Sequence, residues 1–236
     1  MIFCSYQKAE VKFVILEISE CAIFIPECCD IATVDMKEFA SEEKRLLEDY
    51  MPTAKTAIVL AHHVTAALEW VWFPFETERL NNTCAADLHA KTIVGKIVGW
   101  LYDKDFSAVT LPYPGRCGVA FKDIAAKTNL GELGASYLFL HKKWGPWTHL
   151  RILLTDATFV NENAENIKVC DYCAACIKAC PAGVIKEGSF DGSGCGEYQK
   201  VQLQEKGIAG SYLWKCEICA RVCSKGIKPN QVKIKA

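Results

Sequence analysis

Apolar runs alternate with helical periods through the first 160 residues of the chain. Short apolar runs predict strands at residues 11–18 (VKFVILEI), 56–62 (TAIVLAH), 106–111 (FSAVTL) and 151–155 (RILLT). The stretch 84–102 has the helical period, with one apolar face formed by Val94, Ile97, Val98 and Leu101. Strands that alternate with helices predict an α/β layered domain.

Two further helices are predicted between these strands. Asp35 followed by Glu38 has the spacing of a capping box, and a helix starting there would continue through Phe39, Leu46, Leu47 and Tyr50. Residues 119–129 predict another helix ahead of the last strand.

Cysteine density divides the chain into two parts. Six of the 14 cysteines lie in the first 160 residues without metal-ligand spacing, whereas eight lie in tight groups in the last 76. The polar stretch 161–166 (NENAEN) separates the two parts and predicts a boundary. We therefore expect a domain at 1–160 and a smaller one at 161–236.

Charge and hydropathy restrict the cellular setting and the partners. The net charge of −1 gives no global reason to expect a nucleic acid or an anionic membrane surface. No window approaches about 18 uninterrupted apolar residues, and no secretory signal is visible. We expect a cytoplasmic protein without a membrane span, in which cysteines bind metal rather than form disulfides.

The first cysteine group has the spacing of a bacterial ferredoxin. Cys170, Cys173, Cys176, Cys180 and the following proline form C-x2-C-x2-C-x3-C-P. Three thiolates at this spacing surround one face of a [4Fe–4S] cubane, and the fourth cysteine ligates the other cluster. Small residues between the thiolates let backbone N–H groups approach the sulfides.

The second group supplies the remaining ligands. Cys216, Cys219 and Cys223 lie close together, and Cys195 in a glycine-rich loop is the eighth candidate. Eight thiolates suffice for two [4Fe–4S] clusters. A pair of zinc sites would more often show two C-x2-C knuckles, and a disulfide framework conflicts with the expected compartment.

The other cysteines have no such spacing. The simplest interpretation is that they are small buried hydrophobic residues: Cys4, Cys21, Cys28, Cys29, Cys84 and Cys117. The adjacent pair Cys28–Cys29 is an alternative redox or metal site, but it lacks a spaced partner in the sequence.

With these residues in view, the chain resembles the epoxyqueuosine reductase family and the related corrinoid-dependent reductive dehalogenases. Residues 121–134 (FKDIAAKTNLGELG) and 150–156 (LRILLTD) are similar to family segments that precede the clusters. The resemblance implies a nitroreductase-like α/β domain that holds cobalamin, followed by a ferredoxin-like double-cluster domain. It also implies that one cluster is held by Cys170, Cys173, Cys176 and Cys223, and the other by Cys180, Cys195, Cys216 and Cys219.

Asp87 lies in an Asp-Leu-His sequence where the family has Asp-Tyr-His. The resemblance implies that Asp87 is the proton donor, and an acid working near pH 7 would need its pKa raised by burial. The alternative is that Asp87 interacts with the dipole at the N-terminus of the 84–102 helix. The Arg-Tyr that usually precedes the family motif is absent.

Four residues are candidate cofactor contacts: Gly131, Gly134, His141 and Thr155. The glycines and Thr155 lie in the segments that resemble the family, although Ala135 replaces the family's lysine after the second glycine. His141 begins the stretch 141–149 (HKKWGPWTH), which offers rings to a corrin or a histidine to cobalt. The alternative is a turn flanked by packed tryptophans. The pair His62–His63 follows a predicted strand and can reach a pocket at its end, or make ordinary hydrogen bonds.

The resemblance implies a reductase that receives electrons from a ferredoxin or flavodoxin and passes them through two clusters to cobalamin. Its substrate would be small or nucleoside-like. The absence of the family's C-terminal helical repeats, together with the lack of net basic charge on the front domain, makes a tRNA substrate doubtful. Two alternatives remain open, a non-catalytic protein that reduces a corrinoid on a partner and an FMN-dependent reductase.

Overall fold

A four-stranded antiparallel sheet organises the front part of the chain. The computed structural model describes residues 15–70, 73–74, 82–112, 118–160, 167–205 and 216–229. Its strands are β1 (Ile15–Leu16), β2 (Cys29–Asp35), β3 (Thr56–His63), β4 (Phe73–Pro74), β5 (Asn82–Thr83), β6 (Ala108–Thr110), β7 (Gly131–Leu133), β8 (Phe139–His141), β9 (Thr148–Thr155), β10 (Thr158–Phe159), β11 (Ile185–Lys186) and β12 (Ser189–Phe190). The main sheet has the order β2-β3-β9-β6.

Helices cover both faces of this sheet. The α-helices are α1 (Ser41–Glu48), α2 (Ala85–Tyr102), α3 (Phe121–Ala125), α4 (Ala175–Ala179), α5 (Gly192–Glu205) and α6 (Ile218–Arg221). One core lies between the sheet and α2, and a second lies between the opposite face and helices α1 and α3. Strand β3 is buried along its whole length because both of its faces are covered. The predicted α/β layered architecture is therefore confirmed.

The predicted strands at 56–62 and 151–155 are confirmed and are slightly longer, and the helix predicted at 84–102 is confirmed with its start at Ala85. Helix α2 buries Ala90, Ile93, Val94, Ile97 and Leu101, which recur at intervals of three and four residues. The predicted strand at 106–111 is shorter, and in the one at 11–18 only Ile15–Leu16 is extended among the described residues.

The predicted helix beginning at Asp35 is interrupted. Asp35 is the last residue of β2, a strand that the sequence did not predict, and its Oδ1 accepts a hydrogen bond from Lys37 N at 2.8 Å. Only a three-residue 3-10 helix follows, because Phe39 is extended. Helix α1 then starts separately at Ser41.

The helix predicted at 119–129 ends early, at Ala125. The Thr128 hydroxyl donates to Ala125 O at 2.7 Å and accepts from Leu130 N at 3.2 Å. These local bonds compete with the helical ladder and turn the chain toward β7.

The cysteine-rich part contacts the front part directly. The predicted boundary at 161–166 lies outside the described residues, but the chain beyond it is held at several points. A Cβ on Gly145 would lie 2.3 Å from Lys225 O, and one on Gly226 would lie 2.1 Å from the carbonyl carbon of Trp144. Gly145 and Gly226 also have φ values of +57° and +75°, so close approach and backbone conformation both require glycine. Among the described residues, no helix has the length and apolar character to span a membrane.

Candidate functional site

The first predicted quartet of cysteines surrounds a common cavity. All four cysteines of this quartet are among the residues that line it: Cys170, Cys173, Cys176 and Cys223. Asp171, Lys225 and two small residues of the front part, Ala135 and Ser136, also line it. Burial raises the pKa of Cys176 and of Cys223, and the Cys170 and Cys173 thiols raise both pKa values further. Cys170 and Cys173 are therefore close neighbours of both Cys176 and Cys223. Cys219, from the second quartet, also lies at the wall of this cavity.

The second quartet is held together in the same way. Burial raises the pKa of Cys219 to about 12, and Cys216 and Cys195 add to this increase. Burial also raises the pKa of Cys195, with further contributions from Cys216 and Cys180. The electrostatic neighbours of these thiols thus belong to one group of four, Cys180, Cys195, Cys216 and Cys219, which is the division that the family resemblance implies.

Backbone N–H groups point toward cysteine sulfur in both groups. Ala135 N donates to Cys170 Sγ at 3.4 Å, and Glu132 Oε1 accepts from Cys170 N at 2.6 Å. Burial tends to raise the pKa of Cys180, but the N–H groups of residues 182–185 outweigh it and lower the pKa. Donors of this kind stabilise a thiolate, the form in which cysteine binds metal.

The turns between the first cysteines have an unusual backbone. Tyr172 and Ala174 both have left-handed φ values, 53° and 60°. This conformation costs about 1–2 kcal/mol for a residue other than glycine. It persists here because the turns bring Cys170, Cys173 and Cys176 to one cavity.

Asp87 is placed in a buried network of positive charge. Its side chain is 1% exposed and accepts hydrogen bonds from Arg151 Nε at 2.7 Å and His149 Nε2 at 2.9 Å. Thr83 Oγ1 donates at 3.1 Å, and Lys91 Nζ lies 3.4 Å away.

An acid working near pH 7 would need a raised pKa, and the surroundings of Asp87 in this structure lower it instead. Burial does tend to raise it, but the bonds to His149 and Arg151 and their positive charge hold the pKa well below its ordinary value. In this arrangement Asp87 is an ionised anchor between α2 and β9. Its role as the proton donor stays a prediction.

The four predicted cofactor contacts all have packing roles in this structure. A Cβ on Gly131 would lie 2.0 Å from Leu140 O, and one on Gly134 would lie 2.5 Å from the Leu140 side chain. His141 is fully buried, with its ring stacked on Trp144 at 4.0 Å. The Thr155 hydroxyl donates to the carbonyl of residue 107 at 2.8 Å. Contact with a cofactor stays a prediction for each.

A contact that the sequence did not predict joins the front cysteines to His62. Cys29 Sγ lies 3.2 Å from His62 Nδ1, and the Cys28, Cys29 and His62 ligand atoms all lie within 4.8 Å of one another. Cys29 and His62 are directly paired across β2 and β3, so 33 residues of sequence separate two neighbours. The adjacent cysteines and the adjacent histidines were visible in the sequence. The strand register that brings them together could not be read from it.

Sequence comparison finds relatives over part of the chain. No family model matches it. Epoxyqueuosine reductase from Yersinia pestis is 24% identical over 119 residues, which are 48% of this chain and 29% of the relative. Epoxyqueuosine reductase from Escherichia coli K12 is 27% identical over 120 residues, 48% of this chain and 31% of the relative. The chain thus spans about 30% of the length of these curated relatives.

Structure comparison extends the similarity to most of the chain. A selenomethionine-labelled epoxyqueuosine reductase matches with a TM-score of 0.63 at 17% identity, covering 88% of this chain and 64% of that one. An epoxyqueuosine reductase solved with a tRNA stem loop matches with a TM-score of 0.61 at 18% identity, covering 88% and 63%. Reductive dehalogenases, one from a study of B12-dependent dehalogenation, match with a TM-score of 0.50 at 16% identity, covering 72% of this chain and 25% of theirs. The resemblance that the sequence predicted is therefore confirmed. It extends to epoxyqueuosine reductases in sequence over less than half of the chain and in fold over 88% of it, and to reductive dehalogenases in fold over 72% of it.

Proposed function

We propose that the chain is an iron–sulfur reductase that holds two [4Fe–4S] clusters and delivers electrons to a corrinoid bound by the front part. The observation that carries the proposal is the cavity that Cys170, Cys173, Cys176 and Cys223 line together, in a chain whose eight grouped cysteines suffice for two clusters. When bound, the clusters supply single-electron transfer, and a corrinoid supplies cobalt-centred reductive chemistry.

The residues around each quartet fit a cluster. The first would be held by Cys170, Cys173, Cys176 and Cys223, and the second by Cys180, Cys195, Cys216 and Cys219. Ala135 N and the N–H groups of residues 182–185 donate to cysteine sulfur and stabilise the negative charge of thiolate ligands. The close backbone contact between Gly145 and Gly226 holds the end of the cysteine segment against the front part.

Support for a corrinoid comes from one buried donor and from the dehalogenase fold. Trp147 is 2% exposed, and its Nε1 has no hydrogen-bond partner among the described residues. It packs with Trp70 and with Ala220, the residue after Cys219. A buried N–H without a partner is costly, so a cofactor acceptor at this position would satisfy it.

Iron content tests the clusters. Protein purified anaerobically should contain about eight irons and eight sulfides per chain. Cys195→Ala and Cys223→Ala should each remove or destabilise one cluster and leave about four irons, whereas Cys21→Ala, a buried cysteine outside both groups, should leave the iron content unchanged. Zinc in place of iron at both quartets would contradict the proposal.

Cobalamin binding separates the proposed reductase from its two alternatives. The cluster-loaded protein should bind one cobalamin and shift its visible spectrum toward the base-off form. Trp147→Phe keeps the ring but removes the N–H, so we expect affinity to fall about 2- to 10-fold. Absence of corrinoid binding would favour an electron-delivery protein, and FMN recovered by extraction would favour a flavin enzyme.

The second candidate concerns the substrate, a modified nucleoside in tRNA. It is favoured by the structural match to an epoxyqueuosine reductase solved with a tRNA stem loop, and opposed by the net charge of −1. Binding of an epoxyqueuosine-containing stem loop, compared with the same stem loop carrying guanine, would decide between this candidate and a small-molecule substrate. Equal affinity for both stem loops, or none for either, would remove tRNA from consideration.

A further inference from the structure

A second group of metal-ligating side chains lies apart from the eight clustered cysteines. Cys28, Cys29 and His62 present two sulfurs and one nitrogen, all within 4.8 Å of one another. Cys29 and His62 are buried, at 6% and 3% exposure, whereas Cys28 is partly exposed. The group therefore has a buried side and an opening to solvent at Cys28.

Local structure explains how two adjacent cysteines reach the same point. Successive side chains on a strand point to opposite faces. Cys28 avoids this alternation because it lies in the turn before β2, which is closed by a bond from Cys29 N to Pro26 O at 2.8 Å. The Cys28 carbonyl is held by His63 N at 2.7 Å.

Register brings His62 to the cysteines. His62 is the direct partner of Cys29 in the antiparallel ladder between β2 and β3. Directly opposed residues share one face of a sheet, so the imidazole lies beside the thiol. The resulting distance of 3.2 Å from Cys29 Sγ to His62 Nδ1 makes Nδ1 the nitrogen that faces the sulfurs.

The other nitrogen of this ring faces a carboxylate. His62 Nε2 lies 3.7 Å from Glu69 Oε2 and has no hydrogen-bond partner among the described residues. Metal-bound histidines commonly donate their second N–H to a carboxylate, which fixes the tautomer and orients the ring. A small movement of Glu69 would complete that arrangement, and Glu69 is otherwise occupied by the backbone and hydroxyl of Thr65 and by Ala66 N.

We propose that Cys28, Cys29 and His62 bind one Zn²⁺ ion, with the fourth coordination position open. Two thiolates and one imidazole form a ligand set that zinc accepts, and sites with three protein ligands leave a position for water. Zinc bonds of about 2.3 Å to sulfur and about 2.0–2.1 Å to nitrogen place ligand atoms about 3.3–3.8 Å apart. The separation of 3.2 Å between Cys29 Sγ and His62 Nδ1 would lengthen slightly, and the other separations, which are within 4.8 Å, would shorten by up to about 1 Å.

Zinc content of the cluster-loaded protein tests the site. Loading both clusters first occupies the other eight cysteines, so zinc that remains bound reports on the front part. Titration in competition with a chromophoric zinc chelator should show one Zn²⁺ per chain. X-ray absorption at the zinc edge should show about two sulfur neighbours and one nitrogen or oxygen shell. Four sulfur neighbours would place the zinc in the cluster quartets and overturn the proposal.

Matched variants make the result specific. Cys28→Ser, Cys29→Ser and His62→Gln should each lose stoichiometric zinc and keep the full iron content, which verifies the fold. Cys21→Ser, another buried front cysteine, should bind zinc like the wild type. Glu69→Gln should still bind zinc, about 10- to 100-fold more weakly.

Two other outcomes would reject the site. The first is wild-type protein that binds no more zinc than Cys28→Ser, a variant at a partly exposed position that is expected to fold. The second is an intact mass two hydrogens lower with unreactive Cys28 and Cys29, which would identify a disulfide between neighbours instead. Neither outcome bears on the clusters, because the iron count measures those separately.

Discussion

Replacing Asp87 by asparagine should destabilise the front part strongly. The side chain lies between α2 and β9, where two nitrogens of Arg151 donate to its two oxygens at 2.7 and 2.9 Å. His149 and Thr83 add bonds at 2.9 and 3.1 Å, and Lys91 lies at 3.4 Å. Asparagine has almost the same shape, but it is neutral and has one acceptor oxygen, so its NH2 group would face the donors of Arg151.

The size of the effect follows from burial. Asp87 is 1% exposed and Arg151 4% exposed, so solvent screens their attraction little. Removing one partner of a buried ion pair leaves the other charge uncompensated, at a cost of about 3–5 kcal/mol. With a urea slope of about 2–3 kcal/mol per molar, the unfolding midpoint should fall by about 1–2.5 M.

The assay is anaerobic urea unfolding of the cluster-loaded protein, followed by far-ultraviolet circular dichroism. Asp103→Asn is the matched control, because Asp103 is exposed at the opposite end of the same helix. That variant should change the free energy of unfolding by less than about 0.5 kcal/mol. Both proteins should be compared near pH 7 and again in acid.

The pH dependence has a defined sign. The pKa of Asp87 is lowered in the folded state from an ordinary value of 3.8. Its stabilisation is therefore complete above about pH 4 and is lost as the pH falls toward the folded-state pKa. The wild type should lose stability in that window more steeply than Asp87→Asn. An Asp87→Asn protein with wild-type midpoint that has lost only its reductase activity would refute the anchor and support the proton donor.

Two further predictions concern attachment of the cysteine segment. Gly145→Ala should hasten iron release to a chelator, because φ at this residue is +57° and the new Cβ would lie 2.3 Å from Lys225 O. Gly99→Ala is its control, because a Cβ on this α2 residue meets open space. It should leave the rate of iron release unchanged and raise the free energy of unfolding by about 0.5–1 kcal/mol. Glu132→Ala should also hasten iron release, since it removes the acceptor of the backbone N–H groups of Val169 and Cys170. Leaving these donors without a partner should cost about 1–3 kcal/mol of stability. Exposed Glu187→Ala is its control, and equal release rates in both would contradict this role.

Local patterns explain which parts of the fold could be predicted. Helix α2 is a long segment with the helical period, strands β3 and β9 are short continuous apolar runs, and all three are confirmed. The C-x2-C-x2-C-x3-C-P run needs no tertiary information, because neighbouring turns of one segment bring Cys170, Cys173 and Cys176 to the same cavity. The assignment of Cys223 came instead from the family resemblance.

Strand β2 was missed because its sequence, CDIATVD, carries an aspartate near each end and follows a proline-containing turn. Missing it had two consequences. Asp35 was assigned to a helix cap when it also ends a strand, and Cys29 had no visible partner. The direction of the Asp87 pKa shift could not be predicted for a related reason. Burial alone raises a carboxylate pKa, but the partners that reverse this come from β9, more than 60 residues away.

One row of the sheet connects these unpredicted contacts. Cys29 pairs with His62 across β2 and β3, and His62 pairs with His149 across β3 and β9. Directly opposed side chains share a face, so the row runs along the side covered by α2 and reaches Asp87 through His149. A slip of β3 by one residue would turn His62 to the opposite core, away from Cys29 and His149. The buried polar contacts and the sheet register therefore support each other. A lone polar residue in a strand-like run predicts a polar partner on the neighbouring strand, even where the sequence position of that partner is unknown.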